Sequence, residues 1–229
     1  MNRFMTIDYH LADRPKLLGD LSAKSARIAE LCEPHIAPLT DFVEELRREA
    51  GEGVAIPNFD PWDAGIEAEI LFLLEAPGAK AVGSSFISRN NPDETAKNMF
   101  ELNRQAGIPR KRSLLWNAVP WYIGDGARIR AANAKDLEDG LVPLPRLIQL
   151  LPKLRAVVFM GRKAETARAQ VALLRPDLAL FTTPHPSPLF VNRFPGNREV
   201  LLKAFQEVAR FLEGPASADQ GARQALTTS

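Results

Sequence analysis

Residues 69–78 read EILFLLEAPG: an acidic residue, five large apolar residues from Ile70 to Leu74, then Glu75 and the turn Ala76, Pro77, Gly78. A short apolar run bounded by charge and closed by Pro and Gly fits a strand buried on both faces, as in a parallel sheet. Such a strand needs neighbours of its own kind. Three similar runs follow, SLLWNAV (113–119), RAVVFMG (155–161) and LALFTT (178–183).

Segments with helical spacing separate the runs. NNPDETAKNMFELNRQAG (90–107) places Asn91 as an N-cap, Pro92 at the first helical position and Gly107 at the stop. KDLEDGLVPLPRLIQLLP (135–152), interrupted by Gly140, Pro143 and Pro145, and RKAETARAQVALLRP (162–176) fill the next gaps, and NREVLLKAFQEVARFL (197–212) ends the pattern. Strand and helix in alternation predict an α/β fold, a three-layer α/β/α sandwich with a central, mainly parallel four-stranded sheet.

Upstream, apolar residues at three- and four-residue spacings from Pro15 to Ala50, divided by Pro34, predict two amphipathic helices. They precede the turn-rich stretch GEGVAIPNFDPWDAG (51–65). One domain over 1–212 is expected, with 1–56 a helical extension packed on it and 213–229 a disordered tail poor in apolar residues.

The 229 residues are 45% hydrophobic, and 29 Lys and Arg nearly cancel 28 Asp and Glu, so no global field draws in nucleic acid or anionic membrane. Any phosphate contact must come from a local patch. Arg89, Arg110 to Arg112, Arg162, Lys163, Arg193 and Arg198 all fall beside strand ends, where such a patch would lie. The single Cys32 excludes an internal disulfide and a cysteine-ligated zinc or iron-sulfur site. No leader or membrane span is read from the sequence, so a cytoplasmic monomer without membrane contact is expected.

In an open parallel sheet ligands bind outside the carboxyl ends of the strands, which selects the loops EAPG, NAVPWYIG, GRKAE and PHPSP. Glu75 fits a solvated strand end as well as a functional carboxylate. Asn117, inside an apolar strand, needs partners for its amide and fits either a neighbouring loop or the edge of a nucleobase. His185, between Pro184 and Pro186, has its backbone fixed in advance, which suits a positioned chemical group more than a core histidine. His10 and His35 do not complete a metal set with it, and neither a G-x-S-x-G elbow nor a phosphate-binding G-x-x-x-x-G-K-[ST] loop is present. No metal and no cofactor are expected.

The order EAPG, SSF (84–86), LLWNAV (114–119) and PHPSPLFVNRFPGN (184–197) resembles the uracil-DNA glycosylase superfamily from about Ile70 to Leu212. The resemblance implies an enzyme that flips uracil out of DNA and hydrolyses its N-glycosidic bond. It implies Glu75 and His185 as catalytic groups and Ala76, Pro77, Gly78, Phe86 and Asn117 around the base. Phe86 would stack on uracil, Asn117 would read its O4 and N3 edge, and His185 would donate to O2. Ser187, Leu189 and Arg193 would handle DNA, Leu189 filling the space that the base leaves. Ala76 and Gly78 stand where the GQDPY branch has its Asp and Tyr, and the iron-sulfur branch, with GEAPG, needs four cysteines. A catalytically silent damaged-base or abasic-site binder, or a glycosylase for hypoxanthine or xanthine, are the alternatives.

Overall fold

The computed structural model describes residues 12–124 and 130–214. Among the described residues six strands form: β1 (Asn58–Phe59), β2 (Ile70–Leu74), β3 (Phe86–Ile87), β4 (Ser113–Asn117), β5 (Ala156–Met160) and β6 (Ala179–Thr183). The four long ones are the four apolar runs, and they pair in the order β4-β2-β5-β6, all parallel. Every residue of β2, β4 and β5 is buried, which is why the strand centres are continuous apolar runs rather than alternating ones.

The helices are α1 (Leu21–Ala29), α2 (Ala37–Ala50), α3 (Ala79–Ser84), α4 (Glu94–Ala106), α5 (Ala134–Leu141), α6 (Leu144–Gln149), α7 (Arg162–Glu165), α8 (Arg168–Leu174), α9 (Pro188–Val191) and α10 (Asn197–Glu213). Parallel strands are joined by right-handed crossovers, so the chain leaving β2 for β4 covers one face, and the chain returning over β2 to β5 and on to β6 covers the other. Helix α10 packs on α4 and β6, with Phe205 stacked on Phe72 of β2 at 5.3 Å. Because its two neighbours send their loops to the opposite face, β2 lies where an α/β sheet opens a crevice.

Helix α4 starts two residues later than the sequence predicts. Asp93 is its N-cap, accepting from the Ala96 amide at 2.9 Å. Asn91 is buried instead, accepting from the Ser84 hydroxyl at 2.6 Å and donating to the Phe86 carbonyl at 2.8 Å. The two-residue strands β1 and β3 pair in parallel, a small sheet formed partly from the segment read as turns.

The amino-terminal helices pack on the fold. Leu39, Phe42, Val43 and Leu46 of α2 are buried, and Phe42 meets Phe59 and Trp116, whose rings stack at 3.9 Å. Helix α1 is held by charge: Arg27, 1% exposed, pairs with Asp60 and lies 3.6 Å over the Trp62 ring. Arg110 reaches Asp60 at 2.6 Å, Asp63 at 2.8 Å and Asp13 at 2.8 Å. Burial opposes the Asp60 charge, but Arg110 and Arg27 hold that carboxyl at about 2, while burial pushes the Asp63 carboxyl up.

Helix α10 takes in Glu213 and is capped by Gly214, and residues 215–229 of the expected tail, like His10, lie outside the described residues. No described helix is long and apolar enough to cross a membrane.

Candidate active site

The carboxyl ends of the long strands open into one cleft of about 1250 Å³. Glu75 to Lys80 line it after β2, Asn117 at the end of β4, Gly161 to Lys163 after β5, and His185, Ser187 and Leu189 after β6.

Glu75 is half-buried, and its Oε1 accepts the Ala132 amide at 2.7 Å. Its carbonyl accepts from the Val119 amide at 2.9 Å, which carries the β2–β4 ladder one step beyond the strands. The side chain is thereby fixed by one oxygen, and the other accepts no hydrogen bond among the described residues.

Asn117 is 4% exposed, and its Nδ2 has no hydrogen-bond partner among the described residues. A buried polar group left unpaired costs about 1–3 kcal/mol. Asn117 lines the cleft wall, so this unspent donor lies beside the cleft.

His185 is held from three sides. The Thr183 carbonyl before it accepts from the Gly161 amide at 2.7 Å, and the Pro186 carbonyl after it accepts from Asn98 Nδ2 of α4 at 2.8 Å. Gly161 itself has φ +88, and a Cβ there would come within 3.1 Å of the His185 Cβ. Burial lowers the imidazole pKa below its ordinary value, with Glu75 and Asp93 pulling the other way. The ring is therefore neutral at neutral pH, with an N–H to give.

Ser187 caps the short helix α9, accepting from the Phe190 amide at 3.4 Å, and Leu189, 82% exposed, projects at the rim. An exposed leucine on a four-residue helix has no packing duty.

Two sequence expectations find no such placement. Phe86 is completely buried and is not on the cleft wall; Ile87 and Ser88 are. Successive strand residues face opposite sides, so turning Ile87 toward the cleft turns Phe86 away from it. The ring that would stack on a base is thus not offered there. Arg193 is exposed outside the cleft lining, its guanidinium 5.2 Å over the Phe194 ring.

The basic rim is also smaller than expected. Arg110 to Arg112 precede β4 and so lie at the amino end of the sheet, where Arg112 is paired with Glu69. Arg89 is buried against Ser113 and Asp63, and Arg198 pairs with Glu101. Arg162 and Lys163 remain on the cleft, joined by Lys80 and Arg130, which sequence reading missed. It also missed Asp93 on the cleft wall, although an acidic residue after a proline and before a helix is a capping signal.

The profile of the uracil DNA glycosylase superfamily matches residues 61–209. The chain belongs to that superfamily. Its members include DNA glycosylases, and the match spans the sheet and every strand end that builds the cleft. Among solved structures, Pedobacter heparinus SMUG2 is 13% identical with a TM-score of 0.51, over 65% of this chain and 77% of that one. A Methanosarcina acetivorans solution structure put forward as a uracil DNA glycosylase is 16% identical with a TM-score of 0.43, over 62% of this chain and 92% of that one. The first likeness shows a shared fold. No curated protein matches the sequence. Helices α1 and α2 lie wholly before the matched residues, as does the β1 strand that supports Trp116.

Proposed function

We propose that this superfamily member is a monofunctional uracil-DNA glycosylase, which turns a deoxyuridine out of DNA into the cleft and hydrolyses its N-glycosidic bond. The bond is inaccessible inside a stacked duplex, so extrusion comes first. The observation that carries the reading is the buried Asn117 amide, whose unpartnered Nδ2 suits the uracil O4.

As the bond from C1′ to N1 breaks, negative charge gathers on the base and positive charge on the sugar. A neutral His185 N–H near O2 stabilises the developing anion more than the ground state. Glu75, with one oxygen anchored, faces the developing cation. Ala76, Pro77 and Gly78 form the wall between them, and Ile87 and Met99 give the apolar contact that Phe86 does not. Ser187 and Arg193 fit phosphate contacts, and Leu189 fits the gap left in the stack. Base excision repair is the process such chemistry serves.

One observation favours a broader substrate range. A Cβ added at Gly78 meets nothing within 4 Å, so no side chain crowds that wall against a larger base such as hypoxanthine or xanthine. Oligonucleotides carrying each base, treated with the protein and then alkali, separate the readings: strand cleavage at uracil first supports the proposal, and cleavage at a purine first replaces it. Glu75→Gln distinguishes an enzyme from a silent binder, because an enzyme loses turnover while keeping its affinity for DNA.

A further inference from the structure

Asp93 stands at the start of α4 and on the wall of the cleft, and only one of its oxygens is accounted for by the fold. Its Oδ1 caps the helix by accepting from the Ala96 amide at 2.9 Å. Its Oδ2 has no hydrogen-bond partner, and no Lys or Arg pairs with it, among the described residues. Asn or Ser caps a helix about as well as Asp, so the negative charge is surplus to the capping duty.

The position is built, too. Asn98, a little over one turn along α4, donates to the Pro186 carbonyl at 2.8 Å and ties the helix start to the His185 loop. The Asp93 charge acts on the His185 ring together with that of Glu75. The cleft therefore presents two carboxylates to one histidine.

We propose that Asp93 is a second catalytic carboxylate, the general base for the attacking water, while Glu75 stabilises the sugar cation. The inference rests on the glycosylase reading of the cleft. In the step, the water oxygen bonds to C1′ as the bond from C1′ to N1 breaks and its electron pair leaves with the base. One water proton passes to Asp93 Oδ2, the other remains as the hydroxyl of the abasic sugar, and the base anion later takes up a proton equivalent to the one Asp93 releases. The assignment answers the absence of an acidic residue at Ala76, because the water is approached from α4 instead of from the β2 loop.

The test is single-turnover release of uracil by the full chain and by Asp93→Asn and Asp93→Ser, both of which keep the cap, with melting temperature and affinity for a non-hydrolysable 2′-fluoro-deoxyuridine duplex measured alongside. Loss of the general base predicts release slower by ~10²–10⁴-fold in both variants, with melting unchanged and affinity equal or tighter. Parent-like release in either folded variant overturns the assignment and leaves the glycosylase reading standing. A parent chain that releases no base overturns both.

Discussion

Gly161 at φ +88 lies directly against His185, with only 3.1 Å between the His185 Cβ and the Cβ that any other residue would bring. The loop after β5 thus sets the depth of the loop after β6. Gly161→Ala adds backbone strain of about 1–3 kcal/mol and displaces the imidazole. Excision should fall by roughly 10²-fold, since misplacement of about 1 Å has that effect. Denaturant melts and single-turnover rates measure the two consequences separately.

Asn117→Ala should separate stability from activity in the opposite manner. Removing the unpartnered Nδ2 relieves a desolvation cost, so the loss of packing is offset and stability should change by no more than about 1 kcal/mol. Excision should nevertheless fall by roughly 10²-fold or more, the scale seen when a fixed donor is removed from a polar site. Equal losses in both would show that the amide is structural.

His185 has a lowered pKa, caused first by burial, and this fixes a sign. Above the ordinary imidazole value of about 6.5 both folded and unfolded rings are neutral and contribute no pH dependence. As pH falls below it the unfolded ring gains a proton that the folded ring resists, so stability drops. Melting temperature followed downward from about pH 7.5 should fall more steeply for the parent than for His185→Asn.

Asp60→Asn should be the most destabilising of these changes. It leaves Arg27 and Arg110 buried without their shared carboxylate, a situation worth about 3–5 kcal/mol. In the parent that carboxyl is held at about 2 despite burial, against an ordinary value of 3.8. Its contribution is complete above the ordinary value and is lost as pH falls through about 2. Urea titrations across that range, on parent and variant, check both the size and the direction.

Leu189→Ala removes a side chain that is 82% exposed, so folding should be unaffected. Uracil release from duplex DNA should slow while release from a single strand does not, because only a duplex has a stack to keep open. A matched pair of oligonucleotides measures the ratio.

Much of this was legible in the sequence. The runs that became β2, β4, β5 and β6 could be read because a strand buried on both faces needs apolar residues throughout, and the carboxyl-end rule then brought Glu75, Asn117 and His185 to one place. Less legible was anything set by orientation. Phe86 and Ile87 are adjacent, and only the pairing of β3 with β1 decides which of them faces the cleft; strands of two residues carry no periodicity. Arg110 lies beside a strand, but adjacency does not say which end, and the amino end is where Asp60 and Asp63 wait. Arg27 on an amphipathic helix reads as solvated surface, since its partner is 33 residues away. Asp93 was hidden by a competing cap at Asn91, which the fold uses to hold Ser84 and Phe86.

The cleft between Glu75, Asn117 and His185 is proposed to release uracil from DNA. The direct measurement is free base released from equal duplexes carrying uracil, hypoxanthine, xanthine or thymine, quantified by mass spectrometry alongside the abasic strand. A uracil-DNA glycosylase gives stoichiometric uracil with a matching abasic site, ahead of any base released from the other three duplexes. Binding of the uracil duplex with no free base from any of the four would contradict it.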